Sequence, residues 1–201
     1  MKIPFQLFFP SQEQLDALII SQDNSPITYI ATQEGLSAYK HDNNKILLGE
    51  GDAIFAAAKQ AIRQWAMFPG GWAKIYSDKT PLEVGRVVVI CARVMGFWWL
   101  NTARIVHVVD KEDRFGFAYG TLTHHAESGE ELFLVEMDEQ GQVWYRIEAY
   151  SQPQHWLARY SYPLPRFYQK KFIRHSLRNM KKATLANLQI AEPEMVCWVR
   201  S

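Results

Sequence analysis

The pattern of apolar and polar positions divides the chain into helical and extended regions. Near the N-terminus, Ser11 followed by Gln14 has the form of a capping box and predicts a short helix. Residues 21–45 are polar and rich in turn-forming residues, so only brief strand-like pieces are predicted there, around 28–31 and 36–39. This part of the chain is therefore predicted to contribute little regular structure.

A second helix is predicted to begin at Gly51 and Asp52, where apolar residues start to recur at helical spacing. Asp52 is expected to be its N-cap, and the turn-forming residues 68–71 are expected to end it. An apolar stripe of this width is typical of a helix that faces a core. The stripe consists of Ile54, Phe55, Ala58, Ile62 and Trp65.

Between residues 84 and 151 the apolar positions alternate with a period of two, which predicts β-strands. The links between the strands are short, and short links join antiparallel neighbours because parallel strands need a longer crossover. The pattern therefore predicts an antiparallel meander. Its five strands are Val84–Met95, Phe97–Val109, Arg114–Thr123, Glu131–Met137 and Gln142–Tyr150.

One predicted strand has two unequal faces. Phe115, Phe117 and Tyr119 alternate with Gly116 and Gly120, so one face is aromatic and the other is almost bare backbone. The bare face is expected to lie under a covering helix or to leave room for a cavity.

A long helix is predicted over residues 163–183, opened by Pro163 and Pro165. A sheet with one apolar face needs a cover, and this amphipathic helix can supply it. The fold class is therefore α+β, with a meander closed by a C-terminal helix. No repeat or linker divides the chain, so we expect one domain over 1–201.

Composition and charge limit the classes of function. The chain of 201 residues is 13% aromatic, which excludes a disordered protein, and its formal net charge is only +1. Acids concentrate in residues 110–148 and bases in 149–191. A solvated basic helix face explains this segregation more simply than a nucleic-acid surface, so we do not expect nucleic acid as a partner.

The two cysteines, Cys91 and Cys197, are too few for a disulfide framework or a cysteine-based zinc site. The N-terminus lacks the pattern of a secretory leader, and no apolar run approaches the ~20 residues that span a bilayer. We therefore expect a soluble, cytoplasmic protein without a membrane span.

Several blocks of sequence resemble a known family, the domain of unknown function 1990, which is found in bacteria and plants. The resemblance covers about residues 38–183. It rests on Tyr39–Gly51, Trp65–Trp72, Gly96–Val106, Phe117–Leu122, His125, Gly129-Glu130, Ser151-Gln152-Pro153, Ala158-Arg159 and Pro163–Phe172. The family commonly has Ser-Arg-Pro where this chain has Ser151-Gln152-Pro153, so no role of an arginine is carried over there.

The family is similar to the helix-grip class, which includes Bet v 1 and the START-like lipid-transfer proteins. The resemblance implies a curved antiparallel sheet wrapped around a long C-terminal helix, with a cavity between them. The meander and the closing helix predicted from periodicity agree with that architecture.

The segment 121–131 is the most reactive stretch by residue type. His125 occupies the family's histidine position, Glu130 is its nearest candidate partner, and Tyr119 could donate a hydrogen bond from the preceding strand. A carboxylate beside an imidazole supports general acid–base catalysis. The simpler interpretation is a hairpin loop whose polar groups bind backbone or water. Because the spacing matches no zinc signature, we expect neither a metal nor a cofactor.

A second polar set occupies family positions in and near the C-terminal helix. An arginine can clamp an anionic headgroup, or it can pin the helix to the sheet through Glu130, Glu131 or Glu148. The polar candidates for ligand binding are Arg104, Arg159, Arg166 and Gln169, and the aromatic candidates are Trp99, Phe117 and Tyr145.

We therefore expect a protein that binds a small apolar or amphipathic molecule in an aromatic-lined cavity. One alternative is an enzyme on the same fold, with His125 and Glu130 as its acid–base pair. Another is an interaction module whose basic helix binds RNA or an acidic partner.

Overall fold

Residues 5–76, 81–154 and 164–191, which a computed structural model describes, form one antiparallel sheet and four helices. The strands are β1 (Phe5–Gln6), β2 (Lys40–Glu50), β3 (Ala73–Tyr76), β4 (Val87–Val94), β5 (Phe97–Asp110), β6 (Arg114–Thr121), β7 (Glu127–Met137) and β8 (Gln142–Pro153). The helices are α1 (Gln12–Gln22), α2 (Gln33–Leu36), α3 (Asp52–Arg63) and α4 (Leu164–Ala191).

The sheet follows the order β2-β8-β7-β6-β5-β4-β3, and β1 pairs with β5. Every pair of neighbours is antiparallel. Strands β4 to β8 run as a meander, which confirms the prediction from the alternating sequence. The curved sheet wraps around α4, which confirms the helix-grip arrangement.

Strand β2 is the main element that the sequence pattern missed. It pairs along its length with β8, although its first half is polar and was predicted to be turn-rich. The polar sequence fits this position, because β2 is an edge strand and His41, Asn43 and Lys45 are exposed.

Strand β7 begins at Glu127 rather than at the predicted Glu131, because the backbone of residues 127–130 pairs with the last residues of β8. The predicted loop after β6 is therefore shorter, and Glu127 and Glu130 lie on a strand with fixed alternation of sides. This difference determines the geometry of the candidate site.

The capping box of α1 forms as predicted, but three other helix termini differ from the predictions. Helix α3 has a different N-cap and ends at Arg63 rather than at residues 68–71, and α4 continues to Ala191 rather than ending at 183. At α1 the capping box is present: the Ser11 hydroxyl accepts from the Gln14 amide, and the Gln14 side chain accepts from the Ser11 amide. At α3 the N-cap is Gly51, with φ of 85°, and Asp52 is the first helical residue, so the predicted Asp52 cap is wrong. A turn at Trp65, with φ of 55°, follows α3.

The inner face of the sheet packs against α3 and α4 to form the main core. Phe117 lies at its centre, with its ring 4.7 Å from that of Trp65 and 5.3 Å from that of Phe133. Ile173 and Met180 bring α4 into the same cluster. Among the described residues, no helix is long and apolar enough to cross a membrane.

The bare face of β6 lies on the outer side of the sheet, not under the closing helix. Tyr29, from the segment between α1 and α2, packs there against Gly120. A Cβ atom at Gly120 would lie only 2.5 Å from the Tyr29 hydroxyl oxygen. The glycine therefore makes room for the N-terminal segment.

We predict that Gly120→Ala lowers the free energy of unfolding by about 1–3 kcal/mol, because the added methyl group overlaps Tyr29. Gly71→Ala is the matched control, since an added Cβ there meets nothing within 4 Å, and we expect a change within about 0.5 kcal/mol. Urea unfolding measures both variants. Equal effects of the two substitutions would contradict the close contact.

Candidate functional site

A cavity of about 210 Å³ lies between the inner face of the sheet and α4. Its described wall is mostly apolar, and its aromatic members are Phe68, Trp72, Trp99, Tyr119, Tyr150, Tyr168 and Phe172. Polar side chains reach it mainly from the end of β6, the start of β7 and the end of β8. Antiparallel pairing places these three strand ends side by side.

Glu131 and Tyr119 form a hydrogen-bonded pair on this wall. Their backbones are cross-strand partners, so both side chains point to the inner face. The Tyr119 hydroxyl donates to the carboxyl of Glu131. Burial raises the pKa of Glu131 to about 7, against the lowering effect of this hydrogen bond, and the nearby Glu127 raises it further. Burial and Glu131 also raise the pKa of Tyr119.

Glu127 faces the same cavity four residues earlier on β7. Within the described residues, its carboxyl has no hydrogen bond and no ion pair. Burial raises the pKa of Glu127 to about 7, although the charge of Arg166 opposes the increase. Among the described residues, Glu127 is thus an acid in a mostly apolar wall without a direct partner, which disfavours its charged form.

His125 lines the cavity from the turn between β6 and β7. Its Nδ1 lies 3.0 Å from the backbone nitrogen of Glu127 and 2.9 Å from the backbone oxygen of the same residue. Burial lowers the pKa of His125 to about 4, so the imidazole is neutral at physiological pH. His125 therefore helps to shape the turn and brings no positive charge to the cavity.

The predicted pair of His125 and Glu130 is not formed. The carboxylate of Glu130 accepts a hydrogen bond of 2.5 Å from the Tyr29 hydroxyl, on the outer side of the sheet. No hydrogen bond joins His125 to Glu130 in the part of the chain that the structure describes. The reason is strand alternation: because β7 already begins at Glu127, Glu127 and Glu131 face inward while Glu130 faces outward.

Arg166 and Gln169 join the N-terminal end of α4 to the sheet. The Arg166 guanidinium binds the Asp42 carboxylate with two hydrogen bonds and donates to the Gln169 side chain at 2.7 Å. Gln169, which lines the cavity, donates to the Ser151 hydroxyl at 2.8 Å. The hydrogen bonds from Arg166 lower the pKa of Asp42. The expected pinning of helix to sheet is thus present for Arg166, but its carboxylate is Asp42 rather than Glu130, Glu131 or Glu148.

Arg104 is not among the described residues that line the cavity. Its guanidinium donates to the backbone carbonyls of Gln22, Asp23 and Ser25, at 3.0, 2.5 and 2.8 Å. These carbonyls lie at and just beyond the C-terminal end of α1, where helix carbonyls lack partners. Arg104 therefore fastens the N-terminal segment to the sheet.

The remaining predicted ligand residues fall into three groups. Trp99 lines the cavity. Phe117 and Tyr145 are fully buried core residues that do not line it, and the Tyr145 hydroxyl is 2.8 Å from that of Ser176. Arg159 lies outside the described residues.

Sequence reasoning missed Glu127 and Glu131 as the acids of the cavity. The alternation of side chains along β7 was the available signal. If the predicted strand had begun at residue 127, Glu127 and Glu131 would have fallen on the same face as the apolar Phe133. No group of three or more His, Cys, Asp and Glu side chains in residues 5–76, 81–154 and 164–191 is arranged to hold a metal ion.

The curved meander, the closing helix and the cavity between them form a helix-grip-like fold. The family model described as domain of unknown function (DUF1990) matches residues 28–179, and the chain belongs to this family. A UPF0548 protein of Dictyostelium discoideum is 37% identical over 166 residues, which cover 77% of each chain. A UPF0548 protein of Deinococcus radiodurans is 32% identical over 194 residues, which cover 89% of this chain and 98% of the relative.

A solved structure also has a similar fold. The crystal structure of hypothetical protein jhp0584 from Helicobacter pylori aligns with a TM-score of 0.50 and 14% identity, over 83% of this chain and 98% of that protein. At this identity the similarity concerns the fold alone.

We predict that Arg166→Ala destabilises the protein by about 3–5 kcal/mol, because it leaves the Asp42 carboxylate without its guanidinium partner in a mostly buried site. Arg86→Ala is the control: the pair of Arg86 and Glu83 is more than half exposed, and its loss should cost only about 0–1 kcal/mol. Chemical denaturation compares them. Similar losses in the two variants would show that the Arg166 pair does not hold α4 to the sheet.

The raised pKa values of Glu127 and Glu131 predict a specific pH dependence of stability. Both acids retain protons in the folded protein that they release in the unfolded chain, so their contribution is full below about pH 4.5 and is lost as the pH rises to about 7. The two acids therefore lower the free energy of unfolding as the pH rises from about 5 to 7, and Glu127→Gln should remove part of this fall. The lowered pKa of His125 acts in the opposite direction below about pH 6.5, so the comparison with the unmodified protein isolates the contribution of Glu127. The exposed control Glu139→Gln should leave the pH profile unchanged. Identical profiles for both variants would be the contrary result.

Proposed function

We propose that the protein binds a small, mostly apolar molecule in the cavity between the sheet and α4. The observation that carries this proposal is the cavity itself, whose wall is dominated by apolar and aromatic side chains with a few polar groups among them. Sites for small ligands commonly have this composition.

The cavity volume favours a small ligand. At about 210 Å³ it is below the range of roughly 300–1,000 Å³ that is usual for drug-sized molecules. A compact molecule with one polar group and a short apolar body fits this space better than a long-chain lipid.

The apolar part of the wall supplies the driving force for binding. Trp99 from β5, together with Tyr168 and Phe172 from α4, presents ring surface to the cavity. An apolar ligand would displace water from these rings, and each Å² of apolar area removed from water is worth about 25 cal/mol. The closing helix thus contributes directly to the ligand site.

The polar groups supply orientation. Tyr119, Glu131 and Glu127 come from neighbouring strand positions, and Gln169 faces them from α4. A ligand whose polar group meets these side chains would place its apolar body against the aromatic rings. The proposal therefore gives the cavity a polar side and an apolar side.

We predict that 1-hexanol binds saturably and that Ala92→Phe weakens its binding by about tenfold or more, because the added ring fills part of the cavity that Ala92 lines. Tryptophan fluorescence provides the measurement, since Trp72 and Trp99 line the cavity. Ala56→Phe on the exposed face of α3 is the matched control and should bind as the unmodified protein does.

Thermal unfolding establishes that Ala92→Phe is folded, and Ala149→Leu serves as a second filling variant if it is not. A fluorescence change that does not saturate, or equal binding by the filling and control variants, would contradict the proposed function.

A further inference from the structure

Among the described residues that line the cavity, acidic side chains have no basic counterpart. Glu127 and Glu131 reach the wall from β7, and both are held in an apolar environment. We propose that the molecule bound there is a small apolar amine, whose ammonium group lies against the carboxyl groups of Glu127 and Glu131. This inference rests on the proposed function and specifies its ligand.

The carboxyl groups of the two acids differ in their hydrogen-bond partners. In the part of the chain that the structure describes, the Glu127 carboxyl makes no hydrogen bond or ion pair, and the partner of Glu131 is the neutral phenol of Tyr119. Buried carboxyl groups are normally hydrogen-bonded or paired with a cation. Glu131 has such a partner in Tyr119, whereas the partly buried Glu127 has none among the described residues, and a ligand in the cavity can supply it.

No described cation is available to pair with Glu127 or Glu131. Arg166 is the nearby guanidinium, and it is occupied by the two oxygens of Asp42 and by Gln169. His125 is neutral. The titratable and charged groups that the structure describes around the two acids come from every neighbouring element: Asp42 from β2, Tyr119 from β6, Glu130 from β7, Tyr145 and Tyr150 from β8, Arg166 and Tyr168 from α4, and His124 and His125 from the turn.

Three kinds of headgroup would interact differently with the acids of this cavity. A carboxylate ligand would add another negative charge next to Glu127, which is unfavourable in a site of low polarity. A neutral hydroxyl could bind, but it would leave the carboxyl charges uncompensated. An ammonium group supplies both the opposite charge and several N–H donors, and such charge-assisted hydrogen bonds are roughly twice as strong as neutral ones.

The aromatic side of the cavity fits the same ligand. Ring faces attract cations as well as apolar groups, and Trp99 and Tyr168 line the same cavity as the two acids. An amine with a short apolar body would therefore find favourable contacts on both sides of the cavity.

Binding of an amine should be coupled to the release of protons. Burial raises the pKa of both carboxyl groups to about 7, and a carboxyl group must lose its proton before it forms an ion pair with an ammonium group. The affinity for an amine is therefore expected to rise between pH 6 and pH 8. The affinity for a neutral alcohol has no such requirement, and the affinity for a carboxylate should fall over this range.

The test compares hexylamine, 1-hexanol and hexanoate, which share an apolar chain, by isothermal titration calorimetry with the full chain. At pH 8 we expect hexylamine to bind about tenfold or more tightly than 1-hexanol, and hexanoate to bind most weakly. Glu127→Gln should remove most of the preference for the amine over 1-hexanol. The exposed control Glu139→Gln should retain the preference.

The outcomes distinguish the two proposals. If none of the three compounds binds saturably, both the ligand site and its specificity are wrong. If 1-hexanol or hexanoate binds at least as tightly as hexylamine at pH 8, the cavity binds ligands but the amine inference is overturned. The headgroup preference and its pH dependence in the unmodified protein give this answer even if Glu127→Gln does not fold.

Discussion

The unbroken register of β7 between β6 and β8 is the constraint on which the rest of the structure depends. It aligns Tyr119, Glu131 and Ala149 across three strands, and alternation then fixes the side of every residue of β7. Phe133 is directed into the core by the same alternation that directs Glu131 to the cavity. A shift of one residue would exchange the inner and outer faces, and it would bring Glu130 inward in place of the two acids.

Many aromatic residues of the chain lie on the inner side of this sheet. Phe117 and Phe133 fill the space between the sheet and α3, whereas Trp99 and Phe172 border the cavity. The interior is therefore tightly packed next to α3, whereas it contains a cavity next to Trp99 and Phe172. Acids in the open part oppose folding at neutral pH, because burial disfavours their charged forms. Such locally unfavourable groups are common at functional sites, where a ligand completes the arrangement.

Sequence periodicity was sufficient for the meander and the long C-terminal helix, because both depend on regular apolar positions. It failed for β2, whose polar residues reflect an edge position that only the tertiary structure defines. That failure also hid the ionic partner of Arg166, since Asp42 lies on β2. The candidate acids were missed for a different reason: the start of β7 depends on pairing with β8, and proximity along the chain suggested His125 and Glu130 instead.

The most direct test of this account is a carbon-13 NMR titration of the side-chain carboxyl groups of Glu127 and Glu131, in the free protein and with hexylamine. Glu127→Gln and Glu131→Gln assign the two signals. The account predicts a pKa of about 7 for each group in the free protein and a clear decrease for both when the amine is bound. Titration of both groups near the ordinary value of 4.5, with no change on addition of the amine, would contradict it.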